Sequence, residues 1–149
     1  MREVKENNAI YQALAILENR VRQPEAYITQ PSDIIDLLRL RMANKDREVF
    51  TVVFLDTRHG VISVDDMFFG NLSGCAVYMN PIARRAVTLN AAAIIVAHNH
   101  PSGIAEPSHA DRELTNRLYE AMKLLEIRLL DHVVTAGVHY VSFSERGWL

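Results

Sequence analysis

Residues Ala91 to Asp111 read AAAIIVAHNHPSGIAEPSHAD. The first seven, Ala91 to Ala97, are small and apolar and are closed off by turn-formers, which is the pattern of a buried strand. Side chains alternate along a strand, so His98 and His100 leave one face together and Asn99 leaves the other. Pro101, Ser102, Gly103 and Pro107 then force a loop. Ser108 and Asp111 form S-x-x-D at the head of a helical pattern continued by Leu114, Leu118, Met122 and Leu125. A carboxylate on the first turn of that helix can return to the two imidazoles as a third ligand. Two imidazoles, one carboxylate and a position open to water make the ligand set of a catalytic zinc.

The same residues have plainer uses. Ser108 and Asp111 also spell a capping-box variant, with the serine covering orphan N–H groups and the acid complementing the helix dipole. His98 and His100 can be hydrogen-bonded residues at a strand end. Capping and ligation are compatible, since Asp111 has two carboxylate oxygens.

H-x-H-P, six residues, then S-x-x-D resembles the JAMM motif of the MPN/JAB metalloprotease family, and the wording HNHPSG…PS..D is similar to its RadC-type branch. Phe54-Leu55-Asp56, Gly70, Leu130-Asp131-His132 and the closing Ser142-Phe143-Ser144-Glu145-Arg146-Gly147 read like RadC proteins as well. The resemblance runs from about Tyr27 to Leu149. It implies an MPN/JAB-like α/β fold, a mixed β-sheet with helices packed on it, as a domain over residues 27–149 behind an N-terminal helical extension over residues 1–26. RadC proteins carry an N-terminal helix-hairpin-helix region, and the resemblance is to a short form without it.

The family pattern implies roles for further residues. A glutamate upstream of the H-x-H, near the start of an early strand, serves as proton carrier, and Glu48 stands in that place. An acid at a strand start is otherwise simply solvated. Ser108 would donate to the oxyanion formed when a carbonyl becomes tetrahedral, in competition with its capping job. Asn99, turned away from the metal, would hold the loop by hydrogen bonds. Asp131-His132 reads either as a pair orienting metal ligands or as a satisfied core histidine beside an acid. His59, His109 and His139 read as turn or surface residues. The implied activity is a zinc-dependent hydrolase of amide bonds, with one Zn2+ per chain on His98, His100 and Asp111 and a peptide or isopeptide as substrate. A zinc deaminase is a chemical cousin, but its P-C-x-x-C element is missing because Cys75 stands alone. A nucleic-acid-associated repair accessory and a catalytically silent interaction module are the other readings.

Composition bounds these readings. The 149 residues, 49% of them hydrophobic, suit one domain with a proper core. A formal net charge of -2 exerts no global pull toward nucleic acid or an anionic membrane. A single cysteine excludes an internal disulfide and fits a reducing, cytoplasmic setting. No stretch has the length of a membrane span.

Along the chain, Ala9 to Arg22 carries a helical stripe of Ile10, Leu14, Leu17 and Val21, a docking helix or a contact with another subunit, and Pro24 ends it. Pro31-Ser32-Asp33 begins a second helix with Ile34, Ile35, Leu38 and Met42 on one face. Glu48 to Asp56 is too continuously apolar to be one-faced and reads as a central strand. Arg58-His59-Gly60 turns it into a partner strand from Val61 to Phe69, in which Asp65-Asp66 marks a solvated edge or a bulge. Cys75 to Tyr78 offers a further short strand, and Asn80-Pro81 a cap and first residue for a helix running to about Asn90. Ile127 to Thr135 and Val138 to Phe143, joined at Gly137, supply the last strands.

Overall fold

Val49–Leu55 is buried at every position, so the strand it forms, β1, needs a neighbour on each edge and a helical layer on each face. Val61–Phe69 (β2) pairs antiparallel with one edge, and Ala93–Asn99 (β3) pairs antiparallel with the other. Arg128–Ala136 (β4) lies parallel to β3, and His139–Ser142 (β5) finishes the sheet antiparallel to β4. The five strands run in the order β2-β1-β3-β4-β5, the mixed sheet that the sequence implies. The computed structural model describes residues 1–22, 31–70 and 75–149.

Helices α1 (Arg2–Arg22) and α2 (Pro31–Met42) lie over one face of the sheet, and α3 (Met79–Thr88) and α4 (His109–Leu124) over the other. The apolar runs of β1 and β3 therefore divide into two alternating stripes. Val53, Leu55, Ala93, Ile95 and Ala97 meet Ile34, Leu37, Leu38 and Met42 of α2, with Leu14 and Leu17 of α1 behind them. Phe50, Val52, Phe54, Ile94 and Val96 meet Ile82 and Ala86 of α3 and Leu118 and Met122 of α4. Each fully buried side chain of this kind contributes about 1.5–3 kcal/mol. His98 and His100 continue the second stripe, so the helices above them are α3 and α4.

A parallel neighbour obliges the chain to cross over, and α4 is the crossover from β3 to β4. The start of α4 is thereby brought back over the carboxyl end of β3, where open α/β sheets gather their sites. In β4 the register slips by one residue: Ile94 faces Leu129, but Ile95 faces Asp131. This bulge reverses the alternation beyond it, turning His132 toward the α4 side.

The elements depart from the sequence reading in places. Helix α1 begins at Arg2 instead of Ala9, because Lys5, Glu6, Asn7 and Asn8 extend the helix without adding to its apolar stripe, and Arg2 pairs with Glu6 one turn on. The side chain of Val21, and Pro24, fall outside the described residues. Residues 75–78 pair with no strand among the described residues. Cys75 and Val77 do point alternately into the core, which is the pattern legible in sequence, but the segment runs straight into α3. Helix α3 starts at Met79 behind an uncapped Tyr78, so Asn80 is not its cap and Pro81 falls within the first turn. Proline is accommodated there because first-turn N–H groups have no intrahelical partner. Asn90, with φ 55, turns the chain out of the helix. Asp65 and Asp66 lie on the edge strand beside a register slip and are tied to opposite layers, Asp65 to Arg85 of α3 and Asp66 to Arg41 of α2. Among the described residues no helix is long and apolar enough to cross a membrane.

Candidate metal centre

The antiparallel register of β1 and β3 sets Phe50 opposite His98, and two residues further on the same face it brings Glu48 to His100. From above, α4 adds Asp111, and the fold collects Glu48, His98, His100 and Asp111 at one point. One ligand atom from each of the four lies within 4.8 Å of the others. His98 Nε2 is 3.2 Å from Asp111 Oδ1, and His100 Nε2 is 3.2 Å from Asp111 Oδ2. The two Nε2 atoms are 2.9 Å apart, and Glu48 Oε1 stands 3.7 Å from that of His98.

A tetrahedral ion with bonds of about 2.0–2.1 Å keeps its donors roughly 3.3 Å apart, close to the spacings here. Imidazole nitrogens with carboxylate oxygens suit zinc, whereas a magnesium site would be built of oxygens. The donor set therefore fits such an ion. His98 is almost wholly buried, while 19% of the Glu48 side chain remains exposed, so the cluster has a solvent-facing side on which a reactant can approach.

Asp111 caps the helix and at the same time faces the two imidazoles. Ser108 is the N-cap of α4, its Oγ accepting from the Asp111 N–H at 3.0 Å while the Ser108 N–H donates to Asp111 Oδ2 at 2.8 Å. The carboxylate oxygens still face the two imidazoles. Burial opposes ionisation of Asp111, but the contacts with His100 and His98 outweigh it and hold the carboxyl well below the usual carboxylate range. The Asp111 contact in turn raises His100 above the ordinary imidazole value. His100 is also oriented from its other side, where Nδ1–H donates to the carbonyl of Ile104 at 2.8 Å. The loop supplies that carbonyl at its far end, after Gly103 takes φ 87.

Asn99 does something other than hold the loop. It leaves the opposite face, as strand alternation requires, and its amide clamps the start of β1. Oδ1 accepts from the Val49 N–H at 2.7 Å, and Nδ2–H donates to the Arg47 carbonyl at 2.9 Å. Those two groups flank Glu48, whose own carbonyl accepts from Gly70 N–H at 2.7 Å. The backbone under the glutamate is thus fixed on both edges.

His132 is both a satisfied core histidine and a neighbour of the site. It is fully buried, and its Nε2 lies 2.8 Å from Nδ1 of His98. Its Nδ1 lies 2.6 Å from the hydroxyl of Thr115. Burial, reinforced by His98, pushes its imidazole well below the ordinary value. Asp131 does not touch that ring. It accepts from the N–H groups of His132 and Ser144 and from the hydroxyl of Ser142, and so anchors the C-terminal segment. Thr115 goes unnoticed in sequence, although its place four residues after Asp111 puts it one turn behind that aspartate. His59 and His109 pair elsewhere, with Arg128 and Glu113.

A mixed sheet that carries H-x-H at a strand end, with a glutamate beside it and an acid on the returning helix, belongs to the MPN/JAB class of folds. The family model for the RadC-like JAB domain matches residues 28–148, and the chain belongs to that family. It is 47% identical over 133 residues to a UPF0758 protein of Chromobacterium violaceum, an alignment covering 89% of this chain and 59% of that one. With a UPF0758 protein of Burkholderia ambifaria the identity is 49% over 122 residues, covering 82% and 47%. With one from Vibrio cholerae it is 43% over 144 residues, covering 97% and 90%. The chain spans about half to three fifths of the first two relatives' length. The family and the four-residue cluster fit a metal-dependent hydrolase. The relatives' name carries no activity, so the chemistry has to come from the side chains.

Proposed function

We propose that this chain is a zinc-dependent hydrolase of amide bonds, a peptidase or isopeptidase in which His98, His100 and Asp111 hold the ion. The observation that carries this reading is the fourth side chain. Glu48 stands 3.7 Å from His98 Nε2, on the open side of a cluster that already offers three donors. A silent interaction module has no use for a carboxylate in that place.

Bound there by His98, His100 and Asp111, zinc would supply Lewis acidity and lower the pKa of a bound water to about 7. Glu48 takes a proton from the attacking water as its oxygen bonds to the amide carbon. The Ser108 hydroxyl, whose oxygen accepts from the Asp111 N–H and whose hydrogen has no acceptor among the described residues, donates to the oxyanion. Glu48 then passes its proton to the leaving nitrogen as the C–N bond breaks, giving an amine and a carboxylic acid. Asp111 would stay ionised throughout, because a carboxyl group binds a metal in its deprotonated form.

Protein purified without added metal should contain about one zinc per folded chain, and it should cleave members of a panel of peptide and isopeptide substrates. Absence of any transition metal on elemental analysis would overturn the reading. Ser108→Ala tests the double use of one oxygen. Loss of the cap should cost about 1 kcal/mol in urea unfolding, and loss of the donor should lower turnover by roughly 10² to 10³. Full turnover in folded Ser108→Ala protein would leave capping as the only role.

A further inference from the structure

We infer that His132 and Thr115 are positioning residues that fix the proton of His98 on Nδ1, leaving Nε2 free to bind a metal. The inference rests on the metal-binding reading above and deepens it. His100 needs no such device, because the group facing its Nδ1 is the Ile104 carbonyl, which can only accept. His98 is different. The atom facing its Nδ1 is Nε2 of a second imidazole, which can give or take a proton. Taken alone, that contact allows His98 to be protonated on either nitrogen, and the form protonated on Nε2, which could donate to Asp111 Oδ1 at 3.2 Å, has no lone pair for a metal.

The direction is set two residues away. Thr115 Oγ1 lies 2.7 Å from the carbonyl oxygen of Asp111, one helical turn back. Two oxygens at that distance need a hydrogen between them, and a carbonyl has none, so the Thr115 hydroxyl points at Asp111. Oγ1 then has only lone pairs for Nδ1 of His132, 2.6 Å away, and His132 must donate there. A neutral imidazole has one N–H, so Nε2 of His132 is an acceptor, and Nδ1 of His98 must carry the proton that lies between them. Every donor in the chain is used once and every link runs the same way. The chain ends on the backbone of Asp111, so the tautomer of one ligand and the helical turn that carries another are held by the same set of bonds.

The links are locked in place by packing. Thr115 and His132 are buried, and the ring of His132 is stacked on Phe143 with centroids 4.8 Å apart, while Phe50 meets its edge. Thr115→Val keeps the shape and removes the hydroxyl. His132 then gains by keeping its proton on Nε2 and donating it to His98, which moves the His98 proton onto the metal-facing nitrogen.

The test uses the full chain, stripped with a chelator, with ring-nitrogen NMR reporting which nitrogen of His98 is protonated. Zinc affinity is measured in parallel by competition with a chromophoric chelator. The parent and Thr115→Ser should show the proton on Nδ1. Thr115→Val should shift it to Nε2 and weaken zinc by roughly 10- to 100-fold with the fold unchanged by circular dichroism. A parent His98 protonated on Nε2, or a Thr115→Val protein with the parental tautomer, would overturn the inference. Because the tautomer is read in metal-free protein, the result stands even if the parent binds no zinc, an outcome that sinks the metal reading instead. His132→Gln, which can accept at one end and donate at the other, should retain more zinc affinity than His132→Phe; equal affinities would count against the relay.

Discussion

Glu48→Gln should hydrolyse a verified substrate roughly 10² to 10⁴ times more slowly than the parent while keeping its zinc. The amide preserves side-chain length and a hydrogen-bonding oxygen but cannot take up a proton. The backbone around residue 48 should not move, because Asn99 and Gly70 hold the peptides on either side of that side chain and not the side chain itself. Elemental analysis alongside turnover separates the two roles a carboxylate can have here. Zinc lost as readily as from a ligand variant would make Glu48 a fourth ligand, and parental turnover would place the proton carrier elsewhere.

The second large effect is on the metal itself. A His98→Ala/His100→Ala double variant should purify without zinc, and Asp111→Asn should bind it weakly, since a neutral amide is a poorer ligand than a carboxylate. Asp111→Asn has a further, separable consequence. Its one remaining oxygen can take the place of Oδ2, which both accepts from the Ser108 N–H and faces His100, and the amide nitrogen then replaces Oδ1 against His98. Turned the other way, the amide costs α4 that half of its capping box. Unfolding in urea after chelation isolates the cap, about 0.5–2 kcal/mol, and zinc competition isolates the ligand. Unchanged zinc content in the double variant would remove the centre from His98 and His100 altogether.

These contrasts follow from how closely structure and chemistry share atoms at this site. Ser108 caps and Asp111 both caps and faces the histidines, so stability and metal binding respond to the same substitutions by different amounts. Asn99 lies on the face away from the histidines yet sets the backbone from which Glu48 projects. A substitution there should act on Glu48 through the chain and not through His98 or His100.

Residue types and spacing by themselves determined the central strand, the H-x-H face, the loop and the capped helix behind it, because each depends on local rules: alternation, turn-formers and the needs of the first helical turn. They left Asp65 and Asp66 to an edge or a bulge, and the structure puts them on an edge strand beside a register slip. The position of Glu48 near the histidines was legible only through a resemblance, since 50 residues separate Glu48 from His98 and only strand register brings them together. What sequence had no means of deciding was the face on which His132 sits. Counting by twos from the buried Leu129 leads to Asp131 on the site's face and His132 on the other. The tertiary structure reverses this, because β4 carries one residue more than β3 opposite Ile94 and Ile95. Which residue a bulge inserts depends on the pairing of two strands across a crossover, and no local pattern encodes it. That single slip of register brings His132 against His98, and with it Thr115, four residues along the helix that Asp111 begins.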